Sequence, residues 1–587
     1  MTNWYCDSTA DAGRDEAMFF DVTGPGTYTL APQYLRGAFR YLTILNNGST
    51  PVEVTQISVN FTAMPHWADD ALRNYTGYFH SNDDLLNRIW YAGAYTNQLC
   101  TIEPSSGDAL VHLGVINSTE DLSYPVSWYY NTTITNGTSC LTDGAKRDRL
   151  VWPGDMSISV PGTFVSTNDL VTDYNSLASL FALQTADGML PYAGVGFPLI
   201  YSATYHMYSL VGVADIYTYT VCRILQCLTN SPFDNQQGDL GFLSGIWTQY
   251  KAGLNFSLSF IDSTGLMNVT SSADWLRSGM GGHNIEANSI LYYVINQAIN
   301  LATVLKDTSV ISSWQGYGSG IKSAANSILW DETVGLYRDN ETTTFNPQDG
   351  NCWAVVSNIT ESSSQVQSIS SNLVSRWGQY GAPAPEAGAT VSPFISGFEL
   401  QAHVLAGNAT AALDLMRLEW GFMLDDPRMT NSSFIEGYST DGSLHYAPYT
   451  NDPRVSHAHG WATGPTSVLT FGIAGLQITS AGGETWKIAP ALGDLTEVEA
   501  GFQAPTGPFA VKAVLDRNGN IEIQFETPKG TSGSVSVQAP NCEGTLTLQE
   551  AKGQKKSVAC GKRQSGGEKV NVNNVPGGSW TAVYTCK

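Results

Sequence analysis

The chain has 587 residues, of which 42% are apolar and only 14% charged, and its formal net charge is −23. That apolar content is ample for a large core, while the acidic balance excludes the basic footprint a nucleic-acid binder needs and disfavours an anionic membrane surface. No apolar run approaches the roughly 18–20 residues of a membrane-spanning helix, so a neutral or weakly charged ligand such as a sugar suits this surface best.

The first residues, Met1-Thr-Asn-Trp4, lack the basic and apolar regions of a signal peptide. Asn-X-Ser/Thr nevertheless occurs at Asn47, Asn60, Asn74, Asn117, Asn131, Asn136, Asn255, Asn268, Asn340, Asn358, Asn408 and Asn431. Such a density of acceptor sites points to a secreted eukaryotic glycoprotein of fungal type, read here without its leader, and N-linked glycans are expected on it. Nine cysteines are too sparse for a disulfide scaffold, and none form a Cys-X-X-Cys pair. Cys222 and Cys227 are close enough to pair, Cys542, Cys560 and Cys586 form a C-terminal set, and the odd total leaves at least one free thiol.

Residues 1–80 read as an N-terminal β-sandwich. Tyr41-Leu-Thr-Ile-Leu45 is followed by a turn at Asn46-Asn-Gly-Ser49, and then Val52, Val54, Ile57, Val59 and Phe61 give a mostly alternating pattern. Ser81-Asn-Asp-Asp84 resembles a capping box, and Leu85, Leu86, Ile89 and Trp90 follow at helical spacing. From there to residue 476 helical stripes recur, including Leu170, Tyr174, Leu177 and Phe181, then Leu291, Val294, Ala298, Leu301 and Leu305. Further helices are expected over 205–222, 239–261, 319–330, 363–377, 394–420 and 461–475. Ten to twelve helices joined by long aromatic loops predict a mainly α, (α/α)6-barrel domain over residues 81–476. Over 477–587 the period returns to two. Val511-Lys-Ala-Val-Leu515, the turn Asp516-Arg-Asn-Gly519 and Ile521-Glu-Ile-Gln-Phe525 form a hairpin pattern within a C-terminal β-sandwich.

The chain carries no Gly-X-Ser-X-Gly elbow, Walker loop, dinucleotide fingerprint or His-Glu-X-X-His motif. Its densest constellation is Asp143-Gly-Ala-Lys-Arg147-Asp148-Arg-Leu-Val-Trp152-Pro-Gly-Asp155, three carboxylates and three cations around a Trp, with Gly and Pro marking loop. A sugar site needs carboxylates that grip hydroxyls and one acid able to protonate a leaving oxygen. A second cluster, Ser433-Phe-Ile-Glu436-Gly-Tyr438 followed by Ser456-His-Ala-His459-Gly-Trp461, places another carboxylate among aromatics and imidazoles. The His457/His459 pair lacks a third ligand, and no metal is expected.

The first cluster resembles glycoside hydrolase family 78, the α-L-rhamnosidases, whose mark is Asp-X-X-X-Arg-(Asp/Glu), then Trp, then Gly-Asp. The resemblance spans about residues 80–500 and implies an exo-acting, inverting hydrolase of rhamnose-terminated glycosides or polysaccharides, with no cofactor. It implies Asp148 as general acid and Glu436 as general base. It places Asp143, Arg147, Trp152 and Asp155 on the sugar, joined by Asp274 and Trp275 of an Ala-Asp-Trp-Leu segment, by Tyr205, and by His459 and Trp461. Where bacterial members carry Glu at the acid position this chain has the shorter Asp148. Two other readings stay open: a lyase that splits rhamnose from a uronic acid on a related barrel, and a carbohydrate-binding protein without catalysis.

Overall fold

The computed structural model describes residues 20–30, 37–107, 133–146, 148–220, 240–277, 279–446, 455–538, 544–550 and 569–586. Leaving aside the short helix Gly421–Asp425, we number twelve helices of the described residues in chain order: α1 Asp84–Cys100, α2 Pro153–Val165, α3 Leu170–Phe181, α4 Ala203–Tyr219, α5 Leu240–Leu258, α6 Ile285–Val304, α7 Ile311–Ile328, α8 Gln348–Val356, α9 Ser363–Val374, α10 Pro393–Leu405, α11 Ala409–Leu415 and α12 Gly464–Val468. The even-numbered helices follow one another in space: α2 packs on α4, α4 on α6, α6 on α8, α8 on α10, α10 on α12, and α12 returns to α2.

Burial explains this division. α4 buries every residue from Ala203 to Ala214, so it can only sit inside. α7 buries Trp314, Gly318, Ile321, Ala324 and Ala325, a single stripe, and turns its other faces to water. α10 and α12 approach with their backbones nearly touching at Gly397 and Gly464, where a Cβ on Gly464 would lie 2.8 Å from the Gly397 Cα.

The helix starts follow local chemistry. Asp83, not Ser81, caps α1, its carboxylate accepting from the Leu85 and Leu86 N–H groups, while Ser81 ends the strand Tyr78–Ser81. α2 was not expected as a helix at all, because its Gly and Pro residues read as loop. Pro153 stands at its first turn, where a missing N–H costs nothing.

The C-terminal region forms two packed sheets. The larger, entirely antiparallel, runs Tyr78–Ser81, Glu497–Ala504, Gly507–Leu515, Ile521–Glu526, Ser579–Cys586 and Gly544–Glu550 in spatial order. The smaller runs Lys569–Pro576, Ser532–Gln538, Thr485–Ile488 and Leu476–Ile478. The expected hairpin is present, with Leu515 opposite Ile521 and Gly519 at φ +81° in the turn. Phe502 of the larger sheet packs on Phe164 near the end of α2 and on Phe471 beyond α12, and Phe164 stacks on Tyr219, the last residue of α4. The larger sheet therefore lies against the C-terminal end of α2, next to the end of α4 and the segment after α12.

The N-terminal sandwich is not formed by the described residues. Positions 20–30 and 37–77 contain no strand, and Val52, Val54, Ile57, Val59 and Phe61 are all exposed. An alternating pattern specifies a strand only when a neighbour pairs its backbone and a second layer covers its apolar face. The described strand nearest this region, Tyr78–Ser81, joins the C-terminal sheet instead.

Two glycines separate packing from propensity. Gly464→Ala is expected to lower unfolding free energy by about 1–3 kcal/mol through overpacking against Gly397. Gly320→Ala, on the exposed side of α7 with nothing within 4 Å, is expected to raise it by about 0.5–1 kcal/mol. Chemical denaturation of both variants checks this.

Candidate active site

The site is built on the N-terminal ends of the even helices. Asp155 lies in the first turn of α2, Thr204 and Tyr205 open α4, Glu286 opens α6, Asp349 opens α8, Phe394 opens α10, and His459 and Trp461 lie just before α12. Helix N-termini carry unpaired N–H groups and a partial positive charge, so carboxylates are favoured there.

The two sequence clusters meet. The Ala145 N–H donates to the Ala458 carbonyl (2.9 Å), and the Gly460 N–H donates to the Asp143 carbonyl (2.6 Å). The buried Cys100 thiol lies against both the Asp143 and Ala458 carbonyls. The imidazole of His459 then pairs with Asp155 at 3.0 Å, both side chains buried. Burial holds the Asp155 carboxyl above its ordinary range; His459 opposes that rise and the charge of Glu436 adds to it. Glu436 is itself held on both sides: its N–H donates to the Ser456 carbonyl (2.8 Å), and its carbonyl accepts the Trp461 indole N–H (2.8 Å).

Asp148 is buried on the first of these loops, beside Arg149 at φ +59°. That left-handed conformation is uncommon for a long side chain and stores about 1–3 kcal/mol of strain. Asp148 and Asp155, together with Asp274, lie within electrostatic reach of the Tyr192 phenol, which burial and these charges hold far above its ordinary range. Tyr192 meets Trp152 edge-on at 4.9 Å and Tyr205 at 4.6 Å, and Phe197 closes on Trp152 at 5.0 Å. The indole N–H of Trp152 is buried with no hydrogen-bond partner among the described residues, as is His459 Nδ1. Buried polar atoms left unpaired in one region are what a polyhydroxyl ligand would satisfy.

Asp274 extends this region into a carboxylate cluster. Its Oδ1 accepts from Thr204 (2.6 Å), and its carbonyl accepts from Tyr192. Asp274, Glu286 and Asp349 are all buried and bring oxygens within 4.8 Å of one another. Arg277 serves this cluster at 3.0 Å from Asp349, 2.8 Å from Asp339 and 3.8 Å from Glu286. One guanidinium cannot neutralise four buried carboxylates, and two ionised carboxylates cannot hydrogen-bond each other. Burial raises Asp274 from 3.8 to about 6, and it raises Glu286 well above the carboxylate range. A proton held by Glu286 and donated to Asp274 resolves both conflicts. Asp274, Glu286 and Asp349 each offer one carboxylate oxygen that could ligate a cation.

The expected site residues thus fall into three groups. Asp148, Trp152, Asp155, Asp274, Tyr205, Glu436, His459 and Trp461 come together around the helix N-termini. Asp143 and Trp275 are turned to structural partners: Asp143 Oδ1 accepts the Leu150 N–H (3.0 Å), and Trp275 is buried with its indole N–H on Asp349 (3.1 Å). Arg147 lies outside the described residues. Tyr192, Phe197, Arg277, Glu286 and Asp349 were not anticipated. An aromatic in the Pro191-Tyr-Ala-Gly194 loop was the available signal for Tyr192. Nothing local distinguished Glu286 or Asp349 from surface carboxylates at helix starts.

No family model matches the chain. Part of a curated relative, the N,N'-diacetylchitobiose phosphorylase of Vibrio furnissii, is 25% identical over 119 residues, 18% of this chain and 15% of that protein. Among solved structures, a family 78 rhamnosidase of Bacillus sp. GL1 superposes with a TM-score of 0.59 at 20% identity, covering 79% of this chain and 43% of its own. The Streptomyces avermitilis α-L-rhamnosidase, solved with L-rhamnose, gives 0.59 at 15% identity, covering 87% and 42%. The Aspergillus terreus α-L-rhamnosidase gives 0.54 at 16% identity, covering 85% and 50%. The chain spans about half the length of the solved structures it matches.

The carboxylate cluster makes stability depend on pH. A carboxyl raised from 3.8 to about 6 favours the protonated form in the fold. Its contribution is complete below pH 4 and is lost as pH rises through about 6. The melting temperature is expected to fall across this window, and Asp274→Asn to flatten that part of the slope, as thermal unfolding from pH 4 to 7 will show. The fold of this chain is that of the family 78 α-L-rhamnosidases.

Proposed function

We propose that this protein is an exo-acting, inverting α-L-rhamnosidase that removes terminal rhamnose from glycosides or polysaccharides. The observation that carries the reading is the junction of the 143–155 and 434–461 segments, where Asp155, His459 and Glu436 interact inside a rhamnosidase fold. In this reading the ring of even helices is the inner layer of an (α/α)6 barrel, and the sugar enters at their N-terminal ends.

Asp148 donates a proton to the glycosidic oxygen as the bond to the anomeric carbon breaks. Glu436 takes a proton from the water that attacks the opposite face, which requires carboxyl groups about 6.5–9.5 Å apart. Asp155 and Asp274 accept sugar hydroxyls, and the Trp152 indole, backed by Tyr192 and Phe197, stacks on the apolar face and the C5 methyl group. His459 keeps Asp155 oriented. Trp461 fixes the backbone that bears Glu436. The protein is secreted and N-glycosylated in this reading. Of the ten described acceptor asparagines none is buried, and Cys586 is disulfide-bonded, while Cys100, Cys140 and Cys352 remain free thiols in the core. Asn117, Asn131, Cys222, Cys227, Cys542 and Cys560 lie outside the described residues.

Proton NMR of the first sugar released from an aryl α-L-rhamnoside tests this. Inverted rhamnose is expected, with Asp148→Asn and Glu436→Gln each lowering kcat by about 10²–10⁴-fold. Retained configuration, full activity in either variant, or an unsaturated product absorbing in the ultraviolet contradicts it, the last in favour of an elimination.

A further inference from the structure

A cleft lies on the flank of the helical domain, between α1 and the segment that leads into it. It encloses about 630 Å³ and is lined by Phe61, Leu72, Arg73, Tyr75, Gly77, Tyr78, Tyr91, Tyr95 and Gln98. That volume falls within the roughly 300–1,000 Å³ of small-ligand sites. None of these residues belongs to the candidate active site.

The lining is organised. Tyr91, Tyr95 and Gln98 share one face of α1 at positions i, i+4 and i+7. Opposite them stand Tyr75 and Tyr78, on the chain that enters the larger sheet. The Tyr75 hydroxyl donates to Gln98 Oε1 (2.9 Å), and Gln98 Nε2 donates to the Leu72 carbonyl (2.8 Å), so the floor is fixed by hydrogen bonds. Gly77 passes so close to the next layer that a Cβ there would lie 1.7 Å from the Val165 carbonyl oxygen, which fixes the wall as well. Tyr78, Tyr91 and Tyr95 are only partly buried, Phe61 is 49% exposed, and Arg73 is exposed with no ion pair among the described residues.

Four phenol rings and a phenyl ring give the groove apolar faces; the Tyr75, Tyr78 and Tyr91 hydroxyls are bonded within the protein, and the Tyr95 hydroxyl and the Arg73 guanidinium offer donors at its edge. A purely apolar ligand would leave the Tyr95 hydroxyl and the Arg73 guanidinium without acceptors. A strongly charged one would find a single cation to meet it. A pyranose has the matching pattern, with C–H groups on its face and hydroxyls around its rim. From this we infer that the cleft is a second carbohydrate-binding site, holding part of a polysaccharide chain away from the active site while a terminal sugar is processed elsewhere. The inference builds on the proposed activity only for the choice of ligand; binding itself is measured without turnover.

Affinity electrophoresis in gels containing arabinogalactan tests it, using protein produced without N-glycans so that the neighbouring acceptors Asn60 and Asn74 are bare. The unsubstituted protein is expected to be retarded. Tyr91→Ala/Tyr95→Ala and, separately, the surface change Arg73→Ala should weaken retardation at least fivefold while kcat/KM for a small aryl rhamnoside stays within twofold. Unchanged retardation in both variants, or no retardation of the parent, overturns the inference. So does a parallel loss of small-substrate turnover in Arg73→Ala. If the parent is retarded but releases no rhamnose, the catalytic reading fails and the binding site stands.

Discussion

The site rests on a short piece of backbone pairing. Residues 143–145 and 458–460, more than three hundred positions apart in sequence, exchange main-chain hydrogen bonds at 2.6 and 2.9 Å. Such bonds are worth little singly in net stability, about 1 kcal/mol each. Their value here is geometric, because they dictate which side chains face one another. Once Gly144 and His459 are paired across this bridge, the His459 ring reaches Asp155 on the first turn of α2, and Trp461 can hold the Glu436 carbonyl. Cys100, at the end of α1, seals the same point from below. The two ends of the helical domain are thereby joined at the carboxylates.

The electrostatics follow from where the helices end. Aromatic packing of Phe164, Tyr219, Phe471 and Phe502 places the larger sheet against the C-terminal ends of α2 and α4, opposite the ends that carry the acids. The N-terminal ends of the even helices stabilise buried acids such as Asp155, Glu286 and Asp349. Each helix N-terminus contributes only about 0.3–1 kcal/mol, more when partly buried. Arg277 and a retained proton supply the remaining compensation. The product is a cluster of buried carboxylates and aromatic faces at the helix N-termini.

Much of this was legible in the sequence, for identifiable reasons. A helix with one wet face announces itself: in α6 the stripe Leu291, Val294, Ala298 and Leu301 is buried while Asn296, Asn300 and Thr303 are exposed. The inner helices α2 and α8 escape such reading. α2 opens with Pro153-Gly154 inside a segment that resembles a loop, and α8, nine residues long and buried almost throughout, is too short to show a stripe. The Asp143–Asp155 constellation located the site, but its residues divide in a way spacing could not reveal. Asp143 closes its own loop through Leu150, while Asp155 pairs with His459 from the first turn of a helix. Glu286 and Asp349 carry no local signal because only tertiary packing brings them beside Asp274. At the other end of the chain, the alternation at Val52–Phe61 implied a sheet, yet alternation specifies pairing only where a partner strand exists.

The central claim is that the loops bearing Asp148 and Glu436 close on one sugar. A crystal structure of the Glu436→Gln protein soaked with an aryl α-L-rhamnoside tests this most directly. The rhamnose ring is expected to lie against Trp152, with its glycosidic oxygen at Asp148, its hydroxyls on Asp155 and Asp274, and the substituted amide at position 436 on the opposite face of the anomeric carbon. A sugar bound elsewhere, or one touched by only one of the two loops, would contradict it.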